Sequence, residues 1–218
     1  MKNCLVIGGG SDIGAAIVRE LDLDYNVLWT FCHTERKDLP GKRFFCDMTN
    51  EKSIGELFQA IDDLDLVVMA AFPFMEGDSF DFQAYLDAEA FLRGHIFALT
   101  YAADCLLDKG RIINILGQCV ERGLPGAAFY SAAFAFLHNW GNSVNGSEGK
   151  AGGMCVCDLL LGPVNTREWD GLSPEVVERY KAKVRNFIEP QQVAETVKFL
   201  AAQAVMPSTF KLDAYCGY

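Results

Sequence analysis

A short apolar run at residues 4–7 opens into Gly8-Gly-Gly-Ser-Asp-Ile-Gly14, and Ala15, Ala16, Ile17, Val18 and Leu21 then recur at helical spacing. The order strand, glycine turn, helix is a strong constraint. A helix that follows a strand through so tight a turn packs back across the sheet and delivers the chain to a parallel neighbour. The alternation continues along the chain. Strand-like runs at residues 27–31, 43–46, 66–71, 111–116 and 154–161 are interleaved with helical stretches at 82–107 and 130–140. Ser173-Pro-Glu175 and Pro190 open two more helices, each with proline in the first turn. Residues 210–215 are apolar enough for a last strand, although Lys211 and Asp213 interrupt them. Only about ten residues separate the second and third strands, the low limit for a crossover that contains a helix, so a helix is expected to be lost there. No linker or repeat intervenes. The expectation is one domain over residues 1–218, an α/β fold with a doubly wound parallel sheet of about seven strands and helices on both faces.

Charge narrows the partners. Lys and Arg number 19 against 29 Asp and Glu, a net charge of −10, and such a field repels nucleic-acid backbones and anionic lipid head groups. No apolar run approaches the roughly 20 residues needed to span a bilayer, and no cleavable signal pattern precedes residue 4. A cytoplasmic protein is expected, without nucleic-acid or membrane partners. Of the eight cysteines, Cys4, Cys46, Cys155 and Cys157 sit in apolar strand-like runs, where they read as reduced core thiols. Cys155 and Cys157 lack the further ligands a zinc site requires, so no metal is expected.

A glycine-rich turn between a first strand and a first helix lets backbone N–H groups approach a pyrophosphate, with the helix N-terminus adding favourable partial charge. Gly8, Gly10, Ser11, Asp12, Ile13 and Gly14 are the candidate residues; the alternative is a tight turn whose Ser11 or Asp12 only caps the helix. The spacing resembles the G-x-x-x-G-x-G turn of the short-chain dehydrogenase/reductase family, with Asp12 in place of the middle glycine. The resemblance covers the whole chain in register. Asp47 follows the third strand, where the family places an aspartate near the adenine. The run at residues 65–71 stands for the strand ending in N-N-A-G, of which Ala71 is kept. Pro125 with Tyr130-Ser-Ala-Ala resembles the stretch that carries the catalytic tyrosine. Leu161-Gly-Pro-Val-Asn-Thr166 is similar to the P-G-x-V-x-T segment beside the nicotinamide, which brings in Val164 and Thr166. Tyr215-Cys-Gly-Tyr218 stands where the family commonly has D-G-G. The resemblance implies a Rossmann-like fold, NAD(P) as cofactor and oxidoreductase chemistry.

That chemistry uses four side chains, and three positions are changed. Tyr130 is present as the candidate acid or base. The lysine four residues later is Phe134, the serine is Gly117, and the asparagine of the preceding long helix falls at Phe91 or Leu92. A phenol alone has a pKa near 10, and a neighbouring cation is what favours its ionised form at neutral pH. Phenylalanine supplies no charge. Acid–base catalysis is worth about 10² to 10⁴ in rate and an oxyanion donor about 10² to 10³, so both losses together imply impaired or absent carbonyl chemistry. His95 and Gln118 are the nearest polar substitutes, and Glu121 with Arg122 reads as a solvated turn. Two accounts of the function stand. One is a non-catalytic or weakly catalytic NAD(P)-binding member. The other is an active NADP-dependent reductase of a small or acyl carbonyl that uses Tyr130 with unfamiliar helpers.

The cofactor choice leans to NADP over NAD. His33, Thr34 and Arg36 follow the second strand, where basic groups accommodate a 2′-phosphate, and Glu35 is the objection. The family's habit of pairing through long helices implies a homo-oligomer, or a complex with a related active subunit, through residues 82–107 and 130–145. Phe97, Tyr101, Phe136 and Trp140 are its candidate contacts, with burial against the sheet as the alternative. Trp169, Leu172, Tyr180 and Phe187 suit an apolar pocket or a packed lid and name no substrate.

Overall fold

The computed structural model describes residues 1–77, 80–145, 154–182, 184 and 186–213, the side chains of residues 179 and 180 excepted. β1 (Lys2–Ile7) leads into α1 (Asp12–Leu21), β2 (Tyr25–Phe31), β3 (Lys42–Phe45), α2 (Glu51–Gln59) and β4 (Leu64–Met69). The long α3 (Phe82–Cys105), β5 (Leu106–Gly117), the single turn α4 (Cys119–Arg122) and α5 (Ala128–Asn145) follow. β6 (Cys155–Leu161), a 3₁₀ turn (Arg167–Gly171), α6 (Pro174–Lys181), α7 (Pro190–Ala202) and β7 (Thr209–Leu212) complete the described chain.

These strands form one seven-stranded sheet in the order β3-β2-β1-β4-β5-β6-β7, with every pairing parallel. The order reverses between β1 and β4, so the loops leaving Ile7 and Met69 diverge there and leave a crevice at the carboxyl edge of the sheet. One face of the sheet packs against α1 and α7 through Val6, Ile17, Val18, Val197 and Leu200, and the other against α2, α3 and α5 through Ile7, Ile54, Leu99, Ile112 and Leu137. Strands buried on both faces read as unbroken apolar runs, as in Cys4 to Ile7 and Leu66 to Met69, all at most 1% exposed.

The helix expected to be lost between the second and third strands is absent: residues 32–41 run without one. Leu39 fills part of the place by entering the core on the α1 side, while Trp29 donates its indole N–H to Pro40 O at 2.9 Å. The long helix ends at Cys105 rather than at residue 107, because Leu106 already pairs with Leu64 and Lys109 takes a left-handed φ of 68° before Gly110. The last strand is shorter than residues 210–215, and Tyr215 to Tyr218 lie outside the described residues. Among the described residues no helix is long and apolar enough to cross a membrane.

Candidate functional site

A cleft of about 1360 Å³ opens at the carboxyl ends of β1, β4 and β5, at the reversal in strand order. Its floor is the glycine turn. Gly8 has φ of +91°, and a Cβ there would lie 2.5 Å from Ala70 O, so only glycine fits. Thr30 anchors the turn, its Oγ1 accepting from Gly8 N–H at 2.9 Å and its carbonyl from Gly10 N–H at 3.2 Å. Ser11 caps α1 by accepting from Gly14 N–H at 2.9 Å while its hydroxyl donates to Gly8 O. Asp12 and Ile13 stand in the first helical turn, where an N–H has no carbonyl one turn earlier to reach. They face the cleft beside Gly8, Gly10 and Ser11. Gly14 lies beneath the turn, where a Cβ would sit 2.1 Å from Gly8 O.

The side chain of Asp12 sets the electrostatics of this end. Arg167, on the segment after β6, donates its backbone N–H to Asp12 Oδ2 at 2.9 Å and its Nε to Oδ1 at 3.0 Å. Arg36, after β2, pairs with the same Oδ1 and donates from Nε to Gly10 O at 2.9 Å. Burial pushes the Asp12 carboxyl up, but the bonds and charge of Arg167, and then Arg36, hold it below the usual carboxylate range. Two cations on one carboxylate clasp the helix N-terminus, and Glu168, its carboxyl pushed up by burial and by the charge of Asp12, lines the same cleft. Arg36 is committed to this clasp and does not line the cleft, whereas His33, Thr34 and Asp47 do. Glu35 is drawn aside by Arg43, with Nε to Oε1 at 2.5 Å. Asp47 accepts from the N–H and hydroxyl of Thr49, at 2.9 and 2.7 Å.

The other end of the cleft is aromatic. Tyr130 on α5 packs on Phe134 with ring centroids 4.3 Å apart, Phe72 lies 4.8 Å from Phe134, and Phe74 lies 5.3 Å from Tyr130. Phe134 is 2% exposed. A Cβ at Gly117 would come 3.2 Å from Cys119 Sγ and 3.4 Å from Phe134 Cε2, so a serine there is crowded. Gly117 and the ring of Phe134 therefore pack in contact. Phe91 stands 5.7 Å from Phe72. His95 is buried, with Nδ1 at 2.9 Å from Phe91 O and its ring 5.1 Å from Phe72, and burial brings its pKa down to about 4. It is a neutral core group. Gln118 lines the cleft, 6% exposed, and neither end of its carboxamide has a hydrogen-bond partner.

Ala71, Val164 and Thr166 line the cleft beside these rings. Trp169 donates to Val164 O at 2.6 Å and packs at 5.0 Å from Phe187, so this part of the segment over the site is a packed element; Leu172 lines the cleft, and the Tyr180 side chain lies outside the described residues. The turn at residues 121–122 is not simply solvated. Glu121 is paired by Lys211 and Arg122 lines the cleft. Phe97, Tyr101 and Trp140 pack partly against the α3/α5 core, whereas Phe136 is 51% exposed.

Sequence reasoning missed Arg167, Phe72 and Phe74, which carry no motif. It also missed a polar group away from the cleft, where Asp158 on β6, 1% exposed, accepts from Asn114 Nδ2 at 2.8 Å and lies 2.8 Å from His138 Nδ1. An acid inside the apolar run of residues 155–161 was its signal. Burial raises the Asp158 carboxyl, with Asn114 and His138 opposing. Burial also pushes the Cys4 and Cys157 thiols up to about 12, leaving them protonated. Among the described residues no group of three or more His, Cys, Asp or Glu is placed to hold a metal.

No family model matches the chain. Over 140 residues it is 33% identical to a 3-oxoacyl-[acyl-carrier-protein] reductase of Synechocystis, a stretch that covers 61% of this chain and 55% of that protein. The match thus spans about half of the relative's length. Among solved structures, BdcA in complex with NADPH superposes with a TM-score of 0.84 at 22% identity, over 98% of this chain and 93% of that one. A short chain dehydrogenase family protein from Francisella tularensis gives 0.84 at 18%, over 98% and 97%.

Proposed function

We propose, for a chain that is a short-chain dehydrogenase/reductase in fold and in resemblance, that it binds NADPH in this cleft and that the family's carbonyl chemistry is impaired in it. The observation that carries the second half is the ring of Phe134, buried against Tyr130 where a cation is needed. Nothing in a phenyl ring lowers the pKa of Tyr130 or bonds a ribose hydroxyl. When bound, the nicotinamide of such a dinucleotide supplies a hydride. Binding itself is supported by the glycine turn, whose fit leaves the Asp12 and Ile13 N–H groups at the cleft, and by the two arginines beside them. The preference for NADPH rests on His33 and Thr34 in the lining with Glu35 turned to Arg43, and on the NADPH in the BdcA structure.

A second reading, an active NADP-dependent reductase, is favoured by one observation, the unpartnered Gln118 amide in the same cleft as Tyr130. Titration with NADPH and NADH, followed by calorimetry, tests the shared premise, with Thr166→Trp as the blocked form. Gly14 is unsuitable for that control, since any side chain there meets Gly8 O. Saturable NADPH binding, lost in Thr166→Trp, with no Tyr130-dependent reduction across a carbonyl screen, is the expected result. Turnover abolished by Tyr130→Phe would replace the impaired reading with the active one, and no binding up to millimolar cofactor would end both. Self-association through α3 and α5 belongs to the same proposal, with the exposed Phe136 as its contact. Sedimentation of Phe136→Glu against wild type tests it, a fall in mass being expected.

A further inference from the structure

Gln118 sits at the end of β5, immediately before α4, with its backbone N–H given to Leu161 O at 3.0 Å. That bond fixes the main chain and leaves the side chain free to serve another purpose. The carboxamide is closed off from water, and neither Nε2 nor Oε1 has a partner. Among the described residues it is the one buried side chain with both polar ends unmet. A buried group left in this state is costly, and such a cost persists in a fold where the group answers to something that is not always present.

We propose that Gln118 recognises the ligand of this cleft, and that the ligand carries a cyclic amide, a ring N–H beside a ring carbonyl. The inference rests on the reading of the cleft as the ligand site of a dinucleotide-binding fold, and it adds the chemical class of the second ligand. Two facts select that class. First, the unmet groups are one donor and one acceptor on a single planar amide, so the complement is an acceptor and a donor side by side. An open-chain secondary amide is trans and points its N–H and C=O in opposite directions, satisfying one end only, and a primary amide presents the pair side by side but on a rotatable group that no ring holds in the plane of the walls. A carboxylate at neutral pH offers acceptors alone and leaves Oε1 facing negative charge. A lactam ring holds the amide cis, so ligand N–H donates to Oε1 while Nε2–H donates to the ligand carbonyl. Second, the walls of the same cleft are aromatic. Phe72, Phe74, Tyr130 and Phe134 line it, Phe72, Tyr130 and Phe134 with centroids 4.3 to 5.7 Å apart and Phe74 5.3 Å from Tyr130, which suits a flat ring. Glutamine has three rotatable side-chain bonds, so its amide meets an occupant of the cleft by a change of rotamer.

The test is a calorimetric titration of the full chain with 2-quinolinone and with its N-methyl derivative, which keeps the carbonyl and the flat rings but has no N–H. The lactam is expected to bind about tenfold or more tightly than the methylated probe, the loss expected for one buried hydrogen bond. Gln118→Met, close to glutamine in shape, is expected to abolish that preference. The ligand-free Gln118→Met chain is also expected to melt at the same or a higher temperature, because it removes an orphaned amide. Equal affinity for the two probes, binding of neither, or a preference that survives in Gln118→Met overturns the proposal. So does a lowered melting temperature, which would mean that the fold itself uses the amide. NADPH titrated into the wild-type chain alone reports on the dinucleotide reading, so failure of one is told apart from failure of the other.

Discussion

Replacing Asp12 by glycine is expected to lower stability and tighten NADPH binding at the same time. The carboxylate accepts from Arg167 at 2.8 to 3.1 Å and from Arg36, at the helix N-terminus where a pyrophosphate is proposed to sit. Arg167 is 64% exposed and its pair is largely screened, whereas the Arg36 pair, with both side chains about one-fifth exposed, contributes about 1 kcal/mol, and glycine in the first turn costs about 0.5–1 kcal/mol. Together these predict a loss of about 1–2 kcal/mol and a melting temperature lower by roughly 2–8 °C. Binding moves the other way. A carboxylate about 5 Å from two negative charges, at an effective dielectric of about 30–80 and screened by about 50 mM salt, repels them by about 1–3 kcal/mol. Removing it also frees two guanidiniums that can turn to the phosphates. The expected gain is about 5- to 150-fold in affinity, read by calorimetry at about 50 mM salt and shrinking at high salt. Asp12→Asn, which keeps the shape and loses the charge, should recover most of the gain. Unchanged or weaker NADPH binding in both variants would refute the reasoning, because Asp12 would then be holding the arginines where the ligand needs them.

Three further outcomes follow from buried groups. His95 has a folded pKa of about 4 against about 6.5 unfolded, so the unfolded chain binds the extra proton first; stability should fall by about 3 kcal/mol as pH drops through that window, and urea melts of His95→Leu should lack this loss. Asp158 has its carboxyl raised by burial, with Asn114 and His138 opposing; His138→Leu should cost about 1–3 kcal/mol near neutral pH in urea melts, because it leaves a buried carboxylate oxygen without its partner at 2.8 Å, and the cost should shrink in acid as that carboxyl takes up a proton. Phe134→Lys should destabilise by about 3–5 kcal/mol in thermal melts without producing NADPH-dependent carbonyl reduction, because the ring is core and Gly117 still lacks a hydroxyl.

The sheet was legible because strands buried on both faces have to be apolar throughout, and Cys4 to Ile7 and Leu66 to Met69 state this without ambiguity. Even the absence of a helix before β3 could be read, since the distance between two runs limits what fits there. The site was legible where a backbone need dictates residue type, as at Gly8 with its φ of +91°. It was not legible where partners come from far apart in sequence. Arg167 reaches Asp12 across 155 residues, and Asp158 finds His138 across 20, with no local pattern to announce either pair. Arg36 shows the cost of that blindness: a cation in the right segment for a phosphate is engaged by Asp12 and by Gly10 O.

Gly117 and Phe134 stand where the resemblance would put a serine and a lysine, and they mean more together than one by one. In the fold they are a single fitted contact, since the ring edge lies 3.4 Å from where a Cβ on Gly117 would be. A serine at 117 would require Cys119 Sγ to give by a few tenths of an ångström, and a lysine at 134 would put a charge among Phe72, Tyr130 and Leu137. The two positions thus pack as one aromatic wall of the cleft. A pocket with such walls still has to satisfy its polar members, which is why the unmet amide of Gln118 points to a ligand.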